Sequence, residues 1–290
     1  MKRALLYILC ILYSFQSVPA EMSSSTYDRN NDLFQKNVAI LWYGSIEERV
    51  KAIDTLRFIR SKRAIRPLIA ALKGNPLIPN SDENSPLLKF QAAKAIAFMG
   101  QDLAIKPVIE VFKLNEKSIS EDDTPSFSEG NEYKLVMALG EMLRTLGELE
   151  LTKESLELLK TTLNHKNYYL RASAADGIKL SKNKEAMDTM KSLITNEKNE
   201  YTRSALLHAI ISLEKNADQY FKLFLDLLKS EDPQVRRRTS IGLGELDIKM
   251  AEIVLKKALL IEDDAIVRQQ IKKDLSILTG FKIPEIVPGI

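Results

Sequence analysis

With 290 residues, 45% of them hydrophobic and 28% charged, the chain has the composition of a soluble folded protein and not of a disordered one. Only 11 glycines and 10 prolines, with 7% aromatic residues, favour helices over a fold of strands and turns. The formal net charge of +3 includes two charges from the first twenty residues, so the remainder is close to neutral. A near-neutral chain gives no general reason to expect a nucleic acid or an anionic membrane as its partner.

Residues 1–20 have the pattern of a secretory signal peptide. Lys2 and Arg3 form a positive start, twelve apolar residues follow from Ala4 to Phe15, and Val18-Pro19-Ala20 suits signal peptidase. We therefore predict cleavage after Ala20 and export, either to the periplasm or to the cell surface and exterior.

Two alternatives for this segment remain open. A retained anchor helix is one, although twelve apolar residues are short for a membrane span of about 20. Lipidation of Cys10 is the other, although Tyr7-Ile8-Leu9 lacks the small residues expected before a lipoprotein cysteine. Since Cys10 is the only cysteine, cleavage would leave no thiol, disulfide or thiolate metal site. An exported protein of this size without disulfides is more typical of a bacterial envelope.

The remaining chain is predicted to be one helical array over residues 31–280, after a disordered segment at 21–30. Its first half should contain a covering helix and three helix pairs, interrupted by polar loops at 74–86 and 115–130. A tail at 281–290 should be irregular. The expected helices lie at residues 31–42, 45–60, 64–73, 87–99, 103–114, 132–146 and 153–163.

The second half carries a repeat of 32 or 33 residues. Four arginines recur at this spacing, and a residue type that caps helix N-termini stands four positions before each of them. The arginines are Arg171, Arg203, Arg236 and Arg268, and the predicted caps are Asn167, Asn199, Asp232 and Asp264. A capping box is also expected at Ser45 and Glu48, before the first pair.

Apolar residues in steps of four follow each cap and predict one buried helical stripe per repeat. The stripes are Leu170/Ala174/Ile178, Thr202/Leu206/Ile210, Val235/Thr239/Leu243 and Val267/Ile271/Leu275. A second apolar helix follows each of the first three, marked by Met187-Met190-Leu193, Phe221-Phe224-Leu225-Leu228 and Ile253-Leu255-Leu259. Small residues at Gly177, Ala209 and Gly242 should allow two helices to approach closely. A helix pair in every 32–33 residues predicts a solenoid.

Several segments resemble HEAT-like repeats. Residues 171–177 (RASAADG) and 235–244 (VRRRTSIGLG) resemble the first helix of such a repeat, and 64–72 (AIRPLIAAL) and 104–109 (AIKPVI) resemble the second. They are most similar to the short HEAT repeats of phycobilisome lyases. The resemblance implies an all-α, right-handed α-solenoid of about six to seven antiparallel helix pairs. It says little about function, because HEAT proteins include scaffolds, adaptors, lyases and nucleic-acid enzymes.

The recurring arginines are candidate contacts for a partner. Arg171, Arg203, Arg236 and Arg268 should lie along one edge, where they could bind an anionic partner. Alternatively, each arginine pairs with an acid in its own or the next repeat.

Lysines on the second helices and tyrosines near the starts of first helices are further candidates. The lysines could receive an acidic peptide or polysaccharide, or they could form a solvated face. These candidates are Lys160, Lys191, Lys222, Lys256, Tyr168, Tyr169 and Tyr201.

No residue pattern indicates catalysis. His165 and His208 are the only histidines, and neither has the neighbours of a metal site. The sequence therefore predicts no catalytic residue, no cofactor and no metal, and a protein that is not an enzyme.

The leading hypothesis is an exported scaffold or adaptor that binds a protein or peptide along the solenoid. A lyase-like enzyme or a HEAT protein that handles a small ligand or chromophore is the alternative, and it would need a pocket with convergent polar groups. A DNA-binding array is the third hypothesis, opposed by the near-neutral charge and the export signal.

Overall fold

The computed structural model describes residues 24–74, 85–100, 102–119, 131–214, 217–246 and 248–281. Across these ranges the regular structure is entirely helical and consists of fourteen α-helices, with short 3-10 turns between some of them. The helices are α1 Ser24–Tyr43, α2 Ile46–Ile59, α3 Ile65–Lys73, α4 Pro86–Met99, α5 Ile105–Asn115, α6 Asn131–Glu148, α7 Lys153–Thr162, α8 Tyr168–Ser181, α9 Met187–Ile194, α10 Glu200–Leu213, α11 Asp218–Asp226, α12 Pro233–Glu245, α13 Lys249–Ile261 and α14 Ala265–Thr279.

The helices begin where the capping residues predict. Ser45 accepts the backbone N–H of Glu48, whose carboxylate accepts the N–H of Ser45, so the predicted capping box is formed. The side chains of all four predicted caps also accept backbone N–H groups in the first turns of α8, α10, α12 and α14. Each cap satisfies amide groups that have no partner inside the helix.

The helices alternate between two layers. The first helices of the pairs are α2, α4, α6, α8, α10 and α12, and each packs against the next first helix along the chain. The second helix of most pairs then packs against the following first helix. Helix α1 covers the start of the array, and α14 ends it as a first helix. This arrangement confirms the predicted all-α solenoid of about six to seven pairs.

One contact between successive first helices is less extensive than the others. Helices α6 and α8 pack along much of their length, whereas α10 and α12 share the smallest contact of the series. We call the α10–α12 contact the seam.

The core lies between the layers and contains the predicted stripes. All twelve stripe residues from Leu170 to Leu275 are buried. The second helix α13 differs from its prediction in one respect, because Ile253 is 51% exposed, while Leu255 and Leu259 are buried. Ile253 lies on a different face of the helix, because residues four positions apart share a face and residues two positions apart do not.

Close approach of first helices depends on glycine. A Cβ added to Gly147 of α6 would lie 2.1 Å from the carbonyl oxygen of Gly177 in α8. A Cβ on Gly242 would lie 2.6 Å from Cζ of Phe224. The predicted close approaches at Gly177 and Gly242 are therefore confirmed.

The N-terminal boundary differs from its prediction. Helix α1 begins at Ser24, so residues 24–30, predicted as part of a disordered segment, are helical. This stretch is polar and has no apolar periodicity, but extension of an existing helix adds a hydrogen bond for each residue. The predicted signal peptide at 1–20, most of the loops at 74–86 and 115–130, and nearly all of the tail at 281–290 lie outside the described residues. Of the helices described, none is long and apolar enough to cross a membrane.

Candidate binding pocket on the first helices

One position of the repeat carries a charged or polar residue in four of five successive first helices. The spacings between these residues are 32, 32, 33 and 32, so they lie in one row across α6, α8, α10, α12 and α14. They are Arg144, Asp176, His208, Ile241 and Lys273.

Asp176 is the centre of a nearly buried ionic cluster. Nε of Arg144 donates to its Oδ2 at 3.1 Å, and Nη2 of Arg238 donates to its Oδ1. The three side chains are 13–20% exposed. Burial alone would raise the pKa of Asp176, but the two guanidinium groups outweigh it and hold that pKa well below its usual range. Asp176 is thus a carboxylate that joins three repeats, through α6, α8 and α12.

Two tyrosine rings form one wall of this cluster. The rings of Tyr169 and Tyr201 are stacked, with centroids 5.9 Å apart. The guanidinium carbon of Arg144 lies 5.4 Å from the centroid of Tyr169, and that of Arg238 lies 4.7 Å from the centroid of Tyr201. Nη1 and Nη2 of Arg144 also donate to Oη of Tyr169, at 3.4 and 3.3 Å. The rings therefore fix the planes of both guanidinium groups.

His208 forms the floor on α10. Its ring stacks on Phe224 with centroids 5.9 Å apart, and Gly242 leaves room for both rings. Burial, with the positive charges of Lys179 and Arg238, lowers the pKa of His208 to about 3, although Asp176 opposes the shift. His208 is therefore neutral at neutral pH.

Glu245 closes the far side of the cluster. One of its oxygens, Oε2, accepts Nζ of Lys179 at 2.5 Å and lies 3.5 Å from Nε2 of His208. Unlike Asp176, Glu245 is half exposed.

These side chains surround a cavity of about 240 Å³, which we call the Asp176 pocket. Its lining has four cationic side chains, Arg144, Lys179, Arg237 and Arg238, against two carboxylates, Asp176 and Glu245. Three buried nitrogen atoms in the lining have no hydrogen-bond partner among the described residues: Nε of Arg237, Nε of Arg238 and Nε2 of His208. The pocket thus combines a surplus of positive charge with unpaired N–H groups, the chemistry that binds oxyanions.

A second cleft continues from this pocket between α12 and α14. The two share Arg237, Ile241 and Glu245, and the second has a volume of about 560 Å³. Its remaining lining residues are Gly244, Gln270, Lys273, Asp274, Ile277 and Leu278. We call the second cleft the α14 cleft.

Two of the four repeat arginines join successive repeats. Arg171 donates from Nε and Nη2 to Glu197, at 2.8 and 3.0 Å, and from Nη1 to two backbone carbonyls. Arg236 makes the corresponding bonds to Glu262. In both cases the glutamate also accepts the backbone N–H of the following cap residue. Among the alternatives considered for the arginines, these two adopt the ion-paired one.

The other two arginines differ. At the position of Glu197 and Glu262, the repeat of Arg203 has Ser230, which accepts the N–H of Asp232 but carries no charge. In the described part of the chain Nε of Arg203 is buried without an acceptor. Arg268 donates to the backbone carbonyl of Glu262.

The candidate lysines and tyrosines lie in two different places. Tyr201 lines the pocket and Tyr169 stacks on it, while Tyr168 is buried with its ring edge-on to Tyr201. The lysines lie on the second helices, away from the pocket lining. Lys160, Lys191 and Lys256 lie within 3.8, 2.7 and 2.6 Å of Glu185, Glu214 and Glu252, and Lys222 is exposed.

Four residues of the pocket were not predicted from the sequence as site residues: Arg144, Asp176, Arg238 and Glu245. The row of Arg144, Asp176 and His208 has the same period as the repeat arginines, so a search for polar residues at positions next to the stripe would have found it. The positions equivalent to Arg238 carry Glu141, Ser173, Ala205 and Gln270, and those equivalent to Glu245 carry Glu148, Leu180, Ser212 and Ile277. The repeat pattern therefore does not single out Arg238 or Glu245, and only the packing of α12 brings them into the cluster. No group of three or more metal-binding side chains occurs within the described ranges.

Comparisons with known proteins find structural matches and no sequence match. No protein-family model and no curated protein matches the chain. The complex of CpcE and CpcF of phycocyanin lyase from Nostoc sp. PCC7120 is similar with a TM-score of 0.53 and 16% identity, over 91% of this chain and 99% of that chain. Human deoxyhypusine hydroxylase in complex with glycerol is similar with a TM-score of 0.39 and 16% identity, over 88% of this chain and 86% of that chain. The Mot1 N-terminal domain in complex with TBP is similar with a TM-score of 0.44 and 13% identity, over 95% of this chain and 38% of that chain.

The first of these matches corrects one prediction. The sequence analysis predicted that the chain is not an enzyme, from its repeat architecture and the lack of a catalytic motif. The similar structure is that of a phycocyanin lyase, so this architecture gives no ground for that exclusion, and the prediction is wrong. At 16% identity the likeness establishes the fold alone: the chain is a HEAT-like helical-repeat array.

Proposed function

We propose that this chain is an exported HEAT-like repeat protein that binds an oxyanion group of a protein partner in the Asp176 pocket. One observation carries the proposal. The pocket lining has two more cationic than anionic side chains, and two of its guanidinium groups hold buried Nε atoms without an acceptor.

A carboxylate or phosphate group satisfies both conditions at once. Guanidinium N–H groups bind oxyanions through short, charge-assisted hydrogen bonds, which contribute about 1.5–3 kcal/mol each. Asp176 and the tyrosine rings hold Arg144 and Arg238 in place before any ligand arrives. Little side-chain entropy is then lost on binding, which favours affinity.

The protein partner and the export are inferred from different features. The pocket lies in a row of first helices, and such arrays present extended surfaces suited to binding proteins or peptides.

Export rests on the apolar stretch and the cleavage pattern within residues 1–20. The mass of the chain recovered from the cell envelope or medium tests it. We expect a chain beginning at Glu21, whereas an intact chain that retains residues 1–20 would contradict the proposal.

The pocket is tested with simple anions. The processed chain, labelled with ¹⁵N, is titrated with sodium phosphate and with sodium succinate, and sodium chloride at equal ionic strength is the control. We expect saturable shifts of the side-chain Nε–H signals of Arg237 and Arg238, assigned with Arg237→Lys and Arg238→Lys. Arg203 is the internal control, because its Nε is also buried and unpaired but lies outside the pocket lining. Equal shifts at all three arginines, or no shift at any, would overturn the proposal.

A small carboxylate or phosphate ligand is the second candidate, and it includes a lyase-like reaction. The observation that favours it is the pocket itself, whose volume of about 240 Å³ and converging charged groups suit a small anion. Capture of the processed protein from its native envelope, with mass spectrometry of what is bound, separates the two candidates. A protein that is lost with Arg237→Gln supports the first candidate, and a small anion recovered without any protein supports the second.

A further inference from the structure

The Asp176 pocket and the α14 cleft are adjacent and share Arg237, Ile241 and Glu245 in their linings, and together we call them the groove. The groove changes character along its length. At the Asp176 end the lining is mostly charged. At the α14 end it includes Ile277, which is 64% exposed, and the partly buried Leu278.

The charge of the whole groove remains positive. Lys273 joins the four cationic side chains of the pocket, and Asp274 joins its two carboxylates. The Asp274 carboxylate is already held by Ser240 at 2.6 Å and by Gln270 at 2.9 Å, and burial raises its pKa. The three carboxylates of the groove are therefore all held by other side chains, Asp176 by two arginines, Glu245 by Lys179 and Asp274 by Ser240 and Gln270.

We infer that the groove binds an extended peptide segment of the protein partner, with an acidic side chain in the Asp176 pocket and an apolar side chain against Ile277. This inference rests on the proposed function and specifies the partner's chemistry. The positive charge of the Asp176 pocket favours an acidic residue of the peptide, and the exposed Ile277 favours an apolar one. A peptide also suits the space between them, where Gln234, Gln270 and Lys273 can bond to backbone amide groups.

An acyl chain with a carboxylate head would fit this groove less well. It would cover the same glutamine and lysine side chains without offering them a hydrogen-bond partner. Each polar group buried in that way costs about 1–3 kcal/mol.

The spacing of the two anchoring side chains is limited by the packing of α12 and α14. Neighbouring packed helices are about 8–10 Å apart, and an extended chain advances about 3.3 Å per residue. Because side chains of an extended chain share a face only at even separations, the acidic and apolar residues of the peptide should be separated by about two positions.

The test compares labelled peptides of one length by fluorescence anisotropy, with the processed full chain. The parent peptide has aspartate followed two positions later by leucine in a Gly/Ser background. Two variants carry Asn for the aspartate or Ala for the leucine, and decanoate is an unlabelled competitor. We expect each replacement in the peptide to weaken binding about tenfold or more, a change of about 1.4 kcal/mol.

Protein variants identify the two ends of the groove. Arg237→Gln should weaken binding of the parent peptide and of phosphate. Ile277→Ser should remove only the advantage of leucine over alanine and leave phosphate binding unchanged. Ile266→Ser is the matched control, because Ile266 is on the same helix and 62% exposed but outside the α14 cleft.

The outcomes separate this inference from the proposed function. Phosphate binding with equal affinity for the leucine and alanine peptides would overturn the inference and leave the oxyanion pocket standing. Binding of decanoate but of no peptide would show that the groove binds an amphiphile, and this result would also overturn the inference. Absence of both phosphate and peptide binding would overturn the inference and the proposed function together.

Discussion

Arg236 and Glu262 form a two-pronged ion pair in which Nε donates to Oε2 at 2.9 Å and Nη2 donates to Oε1 at 2.8 Å. Only 14% of the arginine side chain and 5% of the glutamate side chain are exposed. The pair connects α12 to the turn before α14, where Glu262 also accepts the N–H of the cap residue Asp264. A single glutamate therefore joins two repeats and helps to start a helix.

Replacement of this glutamate should destabilise the array. Glu262→Gln removes the two-pronged partner of a nearly buried guanidinium and leaves only the exposed carboxylate of Asp263, 3.6 Å from Nη2, which costs about 3 kcal/mol. Unfolding in urea, followed by circular dichroism, should show a lower midpoint. The control is Glu252→Gln, which removes the exposed pair with Lys256 and should cost about 0.5 kcal/mol or less. Equal midpoints for the two variants would contradict a structural role for the ion pair.

The contact between α6 and α8 should not tolerate a side chain at Gly147. Its added Cβ would lie 2.1 Å from the carbonyl oxygen of Gly177, and backbone atoms cannot move aside as a flexible side chain can. Gly147→Ala should therefore lower the stability by about 1–3 kcal/mol through overpacking, despite the higher helix propensity of alanine. The exposed position Glu157 of α7 serves as the control, since Glu157→Ala should leave the urea midpoint nearly unchanged. A stabilised Gly147→Ala protein would show that the helices are farther apart.

The stability should depend on pH through His208. Its folded-state pKa of about 3 is below the usual value of 6.5, so the unfolded chain takes up a proton first as the pH falls. The contribution of neutral His208 to the free energy of unfolding is therefore fully present above about pH 6.5. It decreases as the pH falls from there towards pH 3, by about 2 kcal/mol at pH 5. The wild-type urea midpoint should fall between pH 7 and pH 5, and His208→Gln should reduce that fall.

His165 must be separated from this effect, because burial also lowers its pKa. The variant His165→Asn reports its share of the pH dependence. The protein fold brings Lys179, Arg238, Asp176 and Glu245 close to His208, and their charges remain present in both variants. If His208→Gln retains the full pH dependence, the buried neutral histidine is not its source.

Tyr201 should act as a positioning residue for Arg238. The guanidinium lies 4.7 Å from the ring centroid, and such contacts contribute about 0.5–2 kcal/mol. Tyr201→Leu should weaken phosphate binding about threefold to tenfold and remove the ring-current shift of the Arg238 Nε–H signal, whereas Tyr201→Phe should preserve both. Loss of binding with an unchanged Arg238 signal would mean that Tyr201 acts by another route.

The fold could be predicted because the residues that start each first helix lie next to that helix in the sequence. Asn167, Asn199, Asp232 and Asp264 are side chains that bond to their own helices, so their positions in the sequence suffice to start α8, α10, α12 and α14. The stripes are equally local, since a step of four residues defines one helical face. The period of 32–33 residues then sets the number of pairs.

The pocket could not be predicted in the same way, because its contacts cross repeats. Asp176 is bonded to Arg144 and Arg238, which are 32 and 62 residues away along the chain. The roles of Arg171 and Arg236 were also open until the structure placed Glu197 and Glu262 opposite them. From the sequence, these arginines could either bind an anionic partner or pair with an acid of the array. Which of the two occurs depends on where the turn between helices places the glutamate.

The seam between α10 and α12 has a mechanical consequence. Ser230 stands where the neighbouring repeats have a glutamate, so at this link a hydrogen bond from Ser230 to the Glu200 carboxylate replaces the arginine–glutamate pair. The helices on the two sides of the link also share the smallest contact of the series, so direct packing between neighbouring first helices contributes least here. Helices α6, α8 and α10 provide one side of the Asp176 pocket and α12 provides the other. The Asp176–Arg238 and Lys179–Glu245 ion pairs cross this link from α8 to α12, so a bound oxyanion would be a further tie across it.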